Sequence, residues 1–207
     1  MSANIPLVFI AASTKDKSGG KDAVQNWVTK LQESGIVNII HGLIDADNGN
    51  ITTNGVYKID RYSIENYLVD PIIVYAALID KEVNPRIDGI DFSVGEEYKL
   101  KFLSQEILQN VAESIISEVQ PDLETFFADF NETMETERIE IEYSNGVKLN
   151  YPKWLFSRRG KTILNEVYNT KYTSRVINFS TLFKALRKLN LFPKDLIDKL
   201  NEIQKGG

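Results

Sequence analysis

With 207 residues and 43% hydrophobic content the chain can bury a core without staples. Its lack of cysteine and its single histidine exclude a disulfide framework, a thiolate metal site and a histidine-rich zinc centre. A formal charge of −5 and a pI near 5.1 exclude broad electrostatic attraction to nucleic acid, which needs clustered Lys and Arg. Residues 1–6 lack a basic-then-apolar leader and no run of roughly eighteen apolar residues occurs, so a soluble, cytoplasmic protein with no membrane contact is expected.

In chain order, residues 7–11 read as a short buried strand and residues 13–20 as a polar loop. Val24, Trp27, Val28 and Leu31 fall at helical spacing, which predicts a helix over 22–31 with Trp27 packed on its apolar face. Residues 37–44 form the next strand, and a strand–helix–strand succession implies a parallel pair and an α/β sheet. That strand runs into Asp45-Ala46-Asp47, two carboxylates spaced i, i+2 at a carboxyl end, where α/β sheets collect ligands and where a hard cation finds oxygen. The competing reading is a polar loop opening after a core strand. His41, ahead of Gly42, suits a sheet-face histidine better than a ligand.

Residues 56–59 could add a strand. Ser63 suits an N-cap for a short helix through Leu68, where Glu65 complements the helix dipole and Asn66 can bond to nearby backbone. Tyr67 and Leu68 read as core. Pro71 opens a helix through Leu78. From Tyr98 to Val119 apolar residues recur at 100, 103, 107, 108, 111, 115, 116 and 119, one long amphipathic helix that Pro121 ends. Residues 138–143 and 147–151 alternate around Asn145-Gly146, the signal for a two-residue hairpin turn. Helices follow over 161–168, 179–189 and 193–203.

Two glycine–lysine sites invite comparison with phosphate-binding loops, and neither fits. The first glycine needed before Gly160-Lys161-Thr162 is Leu155, and Gly19-Gly20-Lys21 is followed by Asp22 where a magnesium-binding hydroxyl belongs. Lys148, Lys153, Arg158, Arg159, Lys161 and Lys171 are interleaved with Tyr151, Trp154, Phe156 and Tyr168, a combination suited to phosphates and base stacking, or to a solvated helix flank. Lys21, Arg158, Arg159 and Lys161 are the candidate nucleic-acid contacts. Acidic residues dominate 113–142.

The order Gly-Gly-Lys-Asp-Ala-Val, Gly-Leu-Ile-Asp-Ala-Asp, Tyr62-Ser63-Ile64-Glu65-Asn66-Tyr67-Leu68, Gly160-Lys161 and Phe192-Pro193-Lys194-Asp195-Leu196 resembles the Toprim-type DUF4435 domain family from about Gly19 onward. The resemblance implies an α/β fold: a Toprim-like parallel sheet flanked by helices, with a helical insertion and a β-hairpin. As one domain over 1–207, its core would be about 5–80 and 137–175, its insertion about 96–136 and its C-terminal helices about 177–204. It also implies a Mg2+- or Mn2+-dependent nuclease acting on RNA or DNA beside an ABC-type or AAA ATPase in anti-phage defence, with homo-oligomerisation open. Asp45 and Asp47 match the metal-binding pair, Glu65 the family's glutamate and Lys161 its late lysine.

One departure stands out. Toprim domains open with a strand ending in Glu-Gly, and no such pair precedes Gly19; the nearest strand ends in Ala11-Ala12. Either the family's first strand is missing or the glutamate has been replaced. A non-catalytic partner or regulatory module for an ATPase is therefore the alternative. A haloacid-dehalogenase-like phosphatase with Asp45 as nucleophile ranks last, because no late acidic pair follows an apolar strand.

Overall fold

The computed structural model describes residues 7–12, 19–36, 39–131, 133, 136–172 and 177–205. The main elements are α1 (Lys21–Glu33), β1 (Gly42–Ile44), β2 (Val56–Lys58), α2 (Pro71–Ile79), α3 (Gln105–Val119), β3 (Arg138–Glu142), β4 (Lys148–Pro152), α4 (Phe179–Leu189) and α5 (Lys194–Lys205). The fold is mixed α/β with two small sheets, β1–β2 parallel and β3–β4 antiparallel. Contacts divide the chain into two compact units, residues 1–60 with 195–207, and residues 61–194.

In the first unit α1 lies on β1 and β2, and the buried cluster is Val28, Ile44 and Val56 with Val24 against it. Gly42 is required by this packing, because a Cβ there would fall 2.6 Å from Val24 Cγ1. Register runs Gly42 with Val56, Leu43 with Tyr57 and Ile44 with Lys58. The expected strand–helix–strand unit takes a different form. Residues 7–11 adopt no regular structure and are mostly exposed, and the parallel partner of β1 is instead β2. The strand expected over 37–44 is regular only at Gly42–Ile44: Ile39 is 80% exposed, while 37 and 38 lie outside the described residues. Trp27, expected to pack, is 47% exposed, since the face of α1 that meets the sheet is the Val24–Val28 face.

The second unit is built around α2, whose nine residues are all buried. Such a helix has no polar face and must be surrounded; α3, α4 and the 3-10 turn Glu97–Phe102 do this. Asp70 caps α2, accepting from Ile72 N at 2.9 Å. The single helix expected over 98–119 is two elements, because Ser104 is extended and caps α3 through Ile107 N. The hairpin closes on a type I turn whose Gly146 sits at φ +83°, with Gly146 N donating to Tyr143 O and Tyr143 N to Val147 O. Asn145 keeps a negative φ, so this is the three-residue glycine-bulge loop, not a two-residue turn. Helix α3 covers the outer edge of β4 through glutamines: Gln109 donates to Asn150 O and accepts from Asn150 N, both at 2.8 Å, and Gln105 accepts from Lys148 N. The helical run from Gly160 widens into a π-helix at Ile163–Tyr168.

Candidate functional site

Asp45 and Asp47 follow β1 directly, at the carboxyl end of a strand in a parallel pair. Both are half-buried. Asn50 closes their loop: its Nδ2 donates to Asp45 O at 3.1 Å and to Asp47 Oδ1 at 2.5 Å, while Lys58 Nζ donates to Asn50 O at 3.2 Å. The donors offered are carboxylate oxygens, the set that suits Mg2+ or Mn2+, which is held by one or two carboxylates and keeps its remaining water. Among the described residues no group of three or more His, Cys, Asp or Glu side chains is arranged to hold a metal ion. Among the described residues, Asp45 and Asp47 are the carboxylates that this loop offers. Lys21, at the start of α1, is exposed. His41 Nδ1 is buried without a partner among the described residues, and its ring meets Tyr57 edge-on at 5.6 Å.

Glu65 and Lys161 lie in the other unit, and there the chain folds them to the two sides of one backbone junction. A Cβ built on Gly160 would sit 2.8 Å from Asn66 N and 2.9 Å from the Glu65 carbonyl carbon. Residue 160 must therefore be glycine for the turn Ile64–Tyr67 to rest on it. Asn66 locks the junction with its full hydrogen-bonding capacity. Its Oδ1 accepts from Ser63 N and Ser63 Oγ at 2.9 and 2.7 Å, and its Nδ2 donates to Leu155 O and Arg158 O at 2.7 and 2.8 Å. Glu65 is half-buried and Lys161 exposed. Neither forms an ion pair with another described residue.

Close to the junction lie two buried ionisable residues, Arg61 and Asp70, that composition alone did not disclose. Arg61 is 2% exposed; its guanidinium stacks 4.2 Å from the Tyr67 ring centre and 4.6 Å from that of Phe156, and donates to Asn66 O. Asp70, buried, accepts from the Tyr143 and Tyr151 hydroxyls. Burial pushes the Asp70 carboxyl above its ordinary value, with the Tyr143 hydrogen bond and the Arg61 charge opposing that shift. Burial and then the Asp70 charge push the Tyr143 and Tyr151 hydroxyls well above theirs. The clustering of Arg61, Asp70 and two hairpin tyrosines was a sequence signal in type only, since the partners are 73 and 81 residues apart.

The basic–aromatic stretch is largely spent on structure. Tyr151, Trp154, Phe156 and Tyr168 are core residues, so none is offered to a base. Lys148 pairs with Glu140, Lys153 with Glu137 and Arg158 with Asp129, at 2.9, 2.7 and 2.8 Å. Three acidic residues of 113–142 thus pair with three of the six basic residues that follow. Arg159, Lys161 and Lys171 stay exposed. No described helix is long and apolar enough to cross a membrane. Comparison with protein-family models, with curated proteins and with solved structures finds no match in any of the three.

Proposed function

We propose that the chain is a metal-dependent nuclease module of Toprim type, hydrolysing phosphodiesters of RNA or DNA and working with an ATPase of the ABC or AAA class in anti-phage defence. The observation that carries this reading is the position of Asp45 and Asp47 in the loop leaving a parallel strand, where α/β sheets bind ligands. They are the residues that would hold Mg2+ or Mn2+. When bound, such an ion polarises a phosphoryl oxygen and lowers the pKa of water. Asn50 fixes the loop conformation through Asp45 O and Asp47 Oδ1. The Lys161 ammonium is the cation the reading assigns to a phosphate oxygen, and Glu65 is its supporting carboxylate. The direct contact of Gly160 with the Glu65–Asn66 backbone supports treating the two sequence motifs as one device.

Isothermal titration of Mn2+ into the full chain tests the metal half of the proposal. Binding that Asp45→Asn and Asp47→Asn each weaken at least tenfold is expected. Equal binding by the wild type and both variants contradicts it.

A second reading, a partner module without its own catalysis, is favoured by one observation: the described residues offer two carboxylates and no third ligand group. It predicts metal binding without turnover, and a stable complex with an ATPase encoded alongside.

A further inference from the structure

The first unit contains a strand-like apolar segment and an open strand edge, each without a pairing partner among the described residues. Val8, Phe9 and Ile10 are 82%, 69% and 77% exposed, and no hydrogen bond joins residues 7–12 to another described residue. The segment reads Leu-Val-Phe-Ile-Ala, apolar at every position, which is the composition of a strand covered on both faces. The open edge belongs to β1. Gly42 N donates to Gly55 O and Ile44 O accepts from Ile59 N, so residues 42 and 44 face β2. Strand alternation then turns the Leu43 N–H and C=O to the opposite edge, where no described strand pairs with them.

Ile39 and Ile51 of the same unit are also exposed, at 80% and 81%. The buried cluster beneath is Val28, Ile44 and Val56. A two-stranded sheet depends for its stability on what packs against it, and a strand added at the β1 edge would extend it.

We propose that two copies of the chain associate by strand exchange: residues 7–11 of each add to the open β1 edge of the other. The occupant is a second copy because the chain carries both halves of the interaction, so a two-fold arrangement fills both edges and covers both segments at once. Charge favours the same occupant. Neither residues 7–12 nor residues 39–44 hold a formally charged side chain, so a nucleic acid or an acidic peptide finds nothing there to pair with. This association does not depend on the nuclease reading.

The test is sedimentation velocity on the full chain over a hundredfold concentration range, with hydrogen exchange at both ends of that range. The expected result is a concentration-dependent doubling of mass, abolished in Phe9→Asp and retained in Phe102→Asp. Phe102 is 72% exposed in the other unit and serves as the control. Phe9 is exposed, so its substitution leaves the far-ultraviolet dichroism of the chain unchanged. Amide protection of residues 7–11 and of Leu43 rises with concentration. A monomer throughout overturns the proposal, as does a dimer indifferent to Phe9→Asp. Protection of residues 7–11 that is the same at both concentrations also overturns it, since the segment then pairs within its own chain.

Discussion

Asn66 makes four hydrogen bonds through one carboxamide while 1% exposed. Asn66→Ala leaves two backbone carbonyls and the Ser63 donors unpaired in the interior, at a cost of about 3 kcal/mol, read as a lowered urea midpoint with an unchanged slope. Gly160→Ala puts a methyl against backbone atoms that have nowhere to move, and about 2 kcal/mol of destabilisation is expected in the same experiment. Asp70 gives a pH signature. Its folded-state pKa is raised, so the native state holds the proton more tightly. Its contribution to stability is therefore fully present below the ordinary value of 3.8 and is lost as pH rises through the elevated one. Relative to Asp70→Asn, the wild type should gain stability as pH falls toward 3.8; a difference that is flat across the acid range contradicts the assignment.

At the scale of elements, the strongly periodic segments were legible and their joints were not. Helices α1, α2 and α4 follow from helical spacing and Pro71, and all three form within two residues of the expected limits; the Asn178 cap of α4 emerged only from the structure. The division near residue 103 was missed because the apolar period continues through it, while the Ser104 cap that breaks it looks like any surface serine. Residues 7–11 carry every local mark of a strand, yet a strand exists only where another pairs with it, which composition cannot supply. For the candidate site, the sequence isolated the Asp45–Asp47 loop and the Gly160–Lys161 and Glu65–Asn66 motifs. It could not reveal that the last two meet, nor that Tyr151, Trp154 and Phe156 turn inward.

A charge-bearing joint makes an element-scale prediction. Lys188 on α4 bonds to Glu97, which is 1% exposed, and to Asp80 at the end of α2 at 3.3 Å. Lys188→Ala strands the Glu97 carboxylate in the interior at a cost of about 3 kcal/mol, whereas Lys188→Ala combined with Glu97→Gln recovers part of the loss in thermal denaturation.

For the whole molecule, the two units differ in what holds them. Residues 61–194 enclose a continuous core around a helix with no exposed face, while the buried aliphatic side chains described in residues 1–60 with 195–207 are Val28, Ile44, Val56, Ile59 and Ile203, beside a two-stranded sheet. Native-state hydrogen exchange should find the slowest amides in α2 and markedly faster exchange in β1 and β2. The acidic pair lies in the unit expected to exchange faster, which agrees with the proposal that its loop admits a cation and a large anionic substrate. The most direct measurement of the central claim is cleavage. Purified full-length chain is incubated with Mg2+ or Mn2+ and a mixture of transfer RNA, single-stranded DNA and plasmid, beside Asp45→Ala, Asp47→Ala and Lys161→Ala. The account predicts metal-dependent cleavage of at least one of these, lost in both aspartate variants and strongly reduced in Lys161→Ala. A folded chain that binds the metal and cleaves none of them, or cleavage that survives Asp45→Ala, would contradict it.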